Sequence, residues 1–230
     1  MLNEDFKKRT KKAICVLHFD YLWSACKEAK SILPKINETD LFKLIMNVYA
    51  KRRKIHQANF LLLHCFENAL RSTLCVKIAN LYNTKDDTWF LTKDSKSKGC
   101  KILKLFEKRK KNLKSKTPKT SWEIFDCFCF GDLEDIIDSH WSELAHIFTD
   151  KKDYKGQDLP RYSTKKHLLT KISQIRKARN EIFHNKPTKI KFHKDLEILL
   201  LRLDYNLEDA IKIGNISETI KLQYRYNVLK

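Results

Sequence analysis

Glycine and proline are scarce in this chain, with four residues of each among 230. Glycine and proline set the backbone angles of most tight turns, so a fold made of many β-hairpins is disfavoured by this composition. Apolar residues instead recur mostly at the spacing of an α-helix. The sequence therefore predicts an all-α fold.

Long apolar runs and paired cysteines are also missing. No uninterrupted run approaches the roughly 18 apolar residues of a membrane-spanning helix, so we expect no membrane association. The seven cysteines include no C-x-x-C pair, and neither a metal site nor another cofactor is predicted. Their odd number, and an N-terminus without a signal-peptide pattern, predict a reducing, cytoplasmic location with buried thiols.

Positive charge, in contrast, is abundant. The 47 Lys and Arg residues outnumber the 28 Asp and Glu residues, which gives a formal net charge of +19. Hydrophobic residues still make up 42% of the chain, enough for a globular core. An excess of this size indicates a polyanionic partner, nucleic acid before membrane.

Helical periodicity divides the chain into three parts. We expect an N-terminal helical extension over residues 1–36, a main helical domain over residues 37–214, and a basic tail over residues 215–230. Within the main domain, one helix begins near Leu41, and periodicity then continues from Ile55 to about Tyr82. A break is expected at Gly131, and the last long helix is predicted to end at Gly214.

A basic segment runs from Lys93 to Lys119, with 12 Lys or Arg residues and two acids. Charge runs are commonly just solvated helix faces. This run is long and one-sided in an already basic protein, so contact with phosphates is the favoured interpretation. The nucleic-acid-binding residues predicted here are Lys104, Lys108, Arg109, Lys110, Lys111 and Lys114.

Two charged residues, Glu67 and Arg71, interrupt the apolar stripe of the helix that ends near Tyr82. Their i,i+4 spacing allows them to pair. In one interpretation the pair fixes the register of the helix. In another, the two groups support a site around Arg179 and His184 from behind, and both interpretations can hold together.

The most unusual stretch is R-K-A-R-N-E-I-F-H-N-K-P, residues 176–187, which closes an amphipathic helix that begins near Ser163. Arg179 falls on the apolar face of this helix, where a charge is costly unless it is paired or used. Asn180 and His184 lie one turn apart on a neighbouring face, and Pro187 is expected to stop the helix. The apolar face itself carries Leu168, Ile172, Ile175 and Ile182.

Arginine and histidine together suit metal-free cleavage of RNA. Histidine can act as a general acid or base near neutral pH, and arginine can stabilise the phosphorane formed when a 2′-hydroxyl attacks the adjacent phosphate. On a regular helix, however, Arg179 and His184 diverge by roughly 140°. Either the helix end distorts before Pro187, or two copies of the chain meet across a symmetric interface and combine their residues.

Three stretches carry a family resemblance. Arg179-Asn180-Glu-Ile-Phe-His184 resembles the R-N-x-x-x-H signature of HEPN ribonuclease domains, in particular those of the bacterial abortive-infection (Abi-like) branch. The stretch from Phe66 to Ser72 resembles that branch's E-x-x-x-R helix, and the stretch from Ser121 to Leu133 resembles its W-x-x-x-x…F-G-x-L segment. Asn185 departs from the pattern, since many relatives have a second histidine there.

The resemblance implies an antiparallel helical bundle of HEPN type and a homodimer that brings two motifs together. It implies a metal-independent endoribonuclease of phage-defence or toxin–antitoxin systems, with Arg179, Asn180 and His184 as catalytic residues. RNA is then the substrate, and in some relatives a structured noncoding RNA is a further partner.

Three alternatives remain open. The chain is a catalytically quiet HEPN-type protein that holds RNA through Lys93–Lys119, or a DNA-binding regulator, although no helix-turn-helix pattern is evident. In the third alternative Arg179 is only salt-bridged, for example to Glu67, and His184 only caps a helix end.

Overall fold

The computed structural model describes residues 4–30, 38–82, 89–91, 100–110 and 118–205. Within these residues the chain forms nine α-helices, one 3-10 turn and a single two-stranded sheet. The prediction of an all-α chain is confirmed, with a small hairpin added to it. The HEPN type of bundle remains a prediction. None of the described helices combines the length and the apolar character that crossing a membrane requires.

The helices, in chain order, are α1 Glu4–Val16, α2 Phe19–Lys30, α3 Glu38–Leu81, α4 Cys100–Arg109, α5 Ser121–Asp126, α6 Phe130–Ser139, α7 Trp141–Thr149, α8 Lys165–Phe183 and α9 His193–Arg202. The 3-10 turn is Trp89–Leu91. Strands β1 (Asp153–Tyr154) and β2 (Gln157–Asp158) pair antiparallel around Lys155 and Gly156, both at positive φ.

Two helices, α1 and α2, occupy the region predicted as one N-terminal helical segment. The chain leaves the helical conformation at Leu17 and His18 and resumes it at Phe19. Small side chains let these helices pack closely on the start of α3. Their shared core consists of Ala13, Leu22, Ala25, Ala29, Leu41 and Ile45.

Helix α3 runs for 44 residues without a break. It passes straight through the basic cluster Lys51–Lys54 and so joins the two helical stretches seen in the sequence. Lys and Arg are good helix formers, and neither glycine nor proline occurs between residues 38 and 81. Nothing in the local sequence therefore stops the helix.

The described residues fall into two compact units. The first unit holds the residues up to Leu61 together with Ala178–Lys189, and the second holds Leu62–Lys177 and the residues from Ile190 onward. Helices α3 and α8 contribute residues to both units. The boundaries predicted at residues 36 and 214, and the predicted tail over 215–230, lie outside the described residues.

Aromatic residues dominate the core of the second unit, where α4 packs on α6 and α7 packs on both α6 and α9. The indole of Trp89 is completely buried and hydrogen-bonded to the hydroxyl of Ser121. This bond satisfies the one polar group of the largest core side chain. Other fully buried rings are those of Phe66, Phe125, Phe148 and Phe192.

The break predicted at Gly131 occurs earlier. Helix α5 ends at Asp126 and α6 begins at Phe130, so Gly131 lies inside the first turn of α6. The carboxylate of Asp132 accepts the backbone N–H of Cys129 at 2.8 Å and thereby caps α6. A Cβ on Gly131 would meet its nearest neighbours at 3.9 Å, an ordinary contact distance, so the position does not require glycine.

Helix α9 also ends earlier than the predicted Gly214. It stops at Arg202, and Asp204 takes a left-handed conformation with φ of 60°. The N–H groups of Tyr205 and Asp204 donate to the carbonyls of Leu200 and Leu201 at 3.0 and 3.1 Å, the bonds of a Schellman C-cap. Aspartate tolerates this conformation better than most residues, and it replaces the expected glycine.

The expectation of buried thiols is wrong for most of the described cysteines. Six free cysteines are described, and only Cys65 and Cys75 are buried. Cys15 and Cys129 are exposed, and the other two are half-buried. Helical periodicity alone did not distinguish these positions.

Candidate active site at the end of helix α8

Helix α8 carries the R-N-x-x-x-H motif at its C-terminal end. The predicted apolar face is confirmed, because Leu168, Ile172, Ile175 and Ile182 are all buried. Arg179 occupies the same stripe and is half-buried, whereas Asn180 and His184 are exposed. The motif from Arg179 to His184 belongs entirely to the first unit.

An aromatic pair accommodates the charge of Arg179. The guanidinium carbon lies 4.1 Å from the ring centroid of Phe183, and this ring stacks on Phe60 of α3 with centroids 4.2 Å apart. The guanidinium also donates to the side-chain oxygen of Asn180 at 3.4 Å. A cation held over an aromatic face is stabilised by the ring's negative quadrupole, so the apolar stripe can contain an arginine at this turn.

A Schellman C-cap ends α8 before Pro187. Asn185 has a φ of 61° and donates its N–H to the carbonyl of Ile182 at 2.9 Å. The N–H of Lys186 reaches the carbonyl of Glu181 at 2.8 Å. The helix is thus stopped by Asn185 and not by Pro187 as predicted, because asparagine enters the left-handed region more readily than most residues.

His184 is the C-cap residue of this helix end. Its N–H still makes a helical hydrogen bond, of 3.0 Å, to the carbonyl of Asn180. The helix therefore stays regular up to Phe183, and its end does not distort in the way that would turn Arg179 and His184 to one side. The imidazole remains exposed at the helix terminus.

Arg53 of α3 supports this helix end. Its guanidinium donates to the side-chain oxygen of Asn185 at 2.6 Å and lies 5.0 Å from the ring centroid of Tyr21 in α2. Arg53 belongs to the basic cluster Lys51–Lys54, and the sequence by itself gives it no further role. No spacing rule could have joined it to Asn185, because 132 positions separate the two residues.

A buried hydrogen-bonded pair, Tyr21 and His56, lies beside Arg53. The Tyr21 hydroxyl and Nδ1 of His56 are bonded, and both side chains are buried. Burial raises the pKa of Tyr21. Burial, helped by the charges of Arg53 and His18, lowers the pKa of His56, so this imidazole is neutral at neutral pH.

A cleft with a volume of about 150 Å³ opens next to this pair. Three of its lining residues flank His184 in the chain, namely Ile182, Pro187 and Thr188. Helix α2 contributes Tyr21, and the remaining wall is formed by α3. The α3 residues that line the cleft are Arg52, Ile55, His56 and Asn59.

The predicted pairing of Glu67 with Arg71 is confirmed. The two side chains are 2.9 Å apart, with only 9% and 12% of their surfaces exposed. Arg71 also donates to the backbone carbonyls of Phe125 and Phe128, at the end of α5. These contacts give the pair a structural role in the second unit, and its support of Arg179 and His184 remains a prediction.

Within the basic segment the structure describes Pro118 and Lys119 as well as α4 and the residue after it. Lys104, Lys108, Arg109 and Lys110 are exposed there, while Ile102 and Phe106 anchor the helix. Lys110 pairs with Glu107. Lys111 and Lys114, also predicted to bind nucleic acid, lie outside the described residues.

One of these basic residues has a firm intramolecular partner. Arg109 binds the carboxylate of Asp132 through two hydrogen bonds of 2.9 and 3.0 Å. Burial raises the pKa of Asp132, but the bonds from Arg109 and from the Cys129 N–H outweigh it, and the pKa is lowered overall. Asp132 therefore stays ionised and keeps Arg109 engaged with the protein.

Among the residues described by the structure, no group of three or more His, Cys, Asp or Glu side chains is arranged to hold a metal ion. Comparisons with protein-family models, with curated proteins and with solved structures found no match to this chain. The resemblance to HEPN domains accordingly rests on the three sequence motifs alone.

Proposed function

We propose that this chain is a metal-independent endoribonuclease of an abortive-infection or toxin–antitoxin phage-defence system. Its catalytic residues are Arg179, Asn180 and His184. The observation that carries the proposal is the combination at the end of α8: an arginine held on an aromatic pair, with an amide and an imidazole exposed beside it.

Each residue has a defined part in the proposed reaction. His184 acts as general base or acid, removing the proton of the attacking 2′-hydroxyl or supplying one to the leaving 5′-oxygen. Arg179 neutralises the charge that develops on the phosphorane. Asn180 orients the guanidinium through its side-chain oxygen. The products end in a 2′,3′-cyclic phosphate and a 5′-hydroxyl.

The regular end of α8 supports a site composed from two copies of the chain. Because the helix does not distort, Arg179 and His184 project roughly 140° apart on one copy. A two-fold interface at the helix ends would bring the arginine of one copy to the histidine of the other. We therefore propose a homodimer in which each scissile phosphate meets residues of both chains.

The charge distribution supports RNA as the ligand. The net charge of +19 favours binding of a polyanion, and the exposed Lys104 and Lys108 of α4 are available for phosphate contacts.

A second candidate function is RNA binding without cleavage, with a structured noncoding RNA as partner. Two motif residues have structural roles, which favours this candidate. Arg179 covers an aromatic ring, and His184 is the C-cap residue of α8. The second candidate predicts salt-sensitive RNA binding that yields no product with a cyclic phosphate end.

Growth inhibition tests the proposed function in cells. Induced expression of the wild-type chain in a bacterial host should arrest growth, and Arg179→Ala or His184→Ala should relieve the arrest. Lys177→Ala, an exposed change on the same helix, serves as the matched control and should remain inhibitory. Circular dichroism should show that all variants are folded. A His184→Ala variant as inhibitory as the wild type would contradict the catalytic assignment.

A further inference from the structure

We propose that the cleft between α2, α3 and the segment after α8 holds the base of a nucleotide next to the scissile phosphate. This inference rests on the proposed endoribonuclease function and deepens it, because it names the part of the RNA substrate that the cleft binds. The residues that carry it are Asn59, His56 and Thr188, with Ile182 and Pro187 as the apolar walls.

The position of the cleft follows from the chain itself. Ile182 comes two residues before His184, and Pro187 and Thr188 come three and four residues after His184. A ligand in the cleft therefore lies against the same short segment that carries the proposed general base. For an RNA strand whose phosphate is at His184, the group that reaches this cleft belongs to a neighbouring nucleotide.

The lining suits a heterocyclic base. Single-stranded RNA is recognised when an unstacked base fits between apolar or planar groups and forms hydrogen bonds along its edges. Ile182 and Pro187 provide apolar surface, and Asn59 and Thr188 add an amide and a hydroxyl to the lining. Both residues also have partners within the protein, but an amide and a hydroxyl each offer more than one donor or acceptor position. The neutral imidazole of His56 adds a further polar edge without a charge.

The cations near the cleft are already engaged, which argues against a phosphate as its occupant. Arg52 lines the cleft but pairs with Glu28 at 2.6 Å. Arg53 is bonded to Asn185 and stacked over Tyr21. A bound phosphate would require positive charge, and the charges of Arg52 and Arg53 are already used in these contacts. An uncharged base has no such requirement.

Helix α2 of the N-terminal extension contributes to the proposed base-binding cleft. Tyr21 of α2 forms part of the cleft wall, and its hydroxyl holds the ring of His56 in place. The N-terminal extension would thus contribute to base selection.

Mapping of cut sites tests the inference. Wild type and Asn59→Ala are incubated with total RNA in EDTA, and the new 5′ ends are sequenced. The wild type should prefer one base next to the cut, and Asn59→Ala should reduce that preference roughly two- to tenfold, as expected for one lost hydrogen bond. Thr188→Val is a second variant with the same expected direction.

Gln57→Ala is the control for this experiment, because residue 57 is exposed on α3 and does not line the cleft. It should keep the wild-type preference. Cleavage without any base preference next to the cut, or a preference unchanged in both cleft variants, would overturn the inference while the endoribonuclease proposal stands.

Binding measurements in a His184→Ala background separate the cleft from the chemistry. Fluorescence anisotropy with short single-stranded homopolymers of each base should show a higher affinity for one base. Adding Asn59→Ala should reduce the ratio of affinities between the favoured base and the others roughly two- to tenfold. If one base is favoured in binding but the wild type does not cleave RNA, the base-binding cleft is supported and the endoribonuclease proposal fails. Equal affinity for all four bases would overturn the inference even if no RNA is ever cut.

Discussion

At the scale of single residues, the structure explains how charged and polar side chains are kept inside apolar surroundings. Arg179 lies on the ring of Phe183, and Arg71 is bonded to a carboxylate and two carbonyls. In both cases the contacts compensate for hydration that the charged group loses against its apolar neighbours.

Arg71 should be important for stability. Arg71→Ala removes the cation from the nearly buried Glu67 and a donor from the carbonyls of Phe125 and Phe128. Breaking a buried pair in this way should lower the free energy of unfolding by about 3 kcal/mol. Urea denaturation measures the change, and Lys77→Ala on the same helix is a control. A loss of less than about 1 kcal/mol would show that the pair is dispensable.

His56 should make the stability depend on pH. Its pKa in the folded protein lies below the ordinary value of 6.5, mainly because of burial. As the pH falls through about 6.5, the unfolded chain binds a proton that the folded chain does not, so the free energy of unfolding decreases. Above about pH 7.5 this contribution should be constant, because neither state is protonated.

Urea unfolding at about pH 7.5 and about pH 5.5 checks the sign of this effect. His56→Gln, which keeps a polar group beside Tyr21, should lose less stability over this interval than the wild type. Identical pH dependences for the two proteins would mean that His56 does not titrate differently on folding.

At the scale of elements, the end of α8 depends on one asparagine. Asn185 has a positive φ and accepts a hydrogen bond from Arg53. Asn185→Gly should retain the helix end, whereas Asn185→Ala should lower the free energy of unfolding by about 1–2 kcal/mol, because a Cβ disfavours the left-handed conformation. Equal stabilities of the glycine and alanine variants, measured by urea unfolding, would contradict the importance of this conformation.

The same element shows what the sequence could and could not predict. The apolar face of α8 was predicted correctly because helical periodicity records burial directly. The stop at Asn185 was not, because proline is the stronger local signal and a left-handed asparagine leaves no pattern. Likewise, α9 ends at Arg202 through a left-handed Asp204, although the apolar stripe continues towards Gly214.

Contacts between distant segments were the features of the structure that the sequence could least predict. The i,i+4 pair of Glu67 and Arg71 was predictable from spacing within one helix. The bonds from Arg53 to Asn185 and from Tyr21 to His56 join segments that no local rule connects. The candidate catalytic residues were therefore identified from their motif, while the cleft beside them emerged only from the structure.

At the scale of the whole molecule, the proposed site requires two copies of the chain. Arg179→Ala and His184→Ala should each be inactive alone. When the two variants are mixed and allowed to exchange subunits, half of the dimers contain both, and one of their two sites has an intact Arg179 and an intact His184. About a quarter of the wild-type rate should then return.

Mixing two preparations of the same variant is the control for this exchange. Light scattering should give the mass of a dimer for every preparation. A monomeric wild type, or a mixture that stays inactive after subunit exchange has been demonstrated by labelling, would contradict a site shared between chains.

The most direct measurement is the reaction of purified protein with a defined single-stranded RNA in EDTA, followed by analysis of the product ends. The account predicts that the wild type produces fragments ending in a 2′,3′-cyclic phosphate and that His184→Ala produces none above background. Intact RNA with the wild type, or cleavage that persists in His184→Ala, would contradict the claim that Arg179 and His184 form a metal-free RNA-cleaving site.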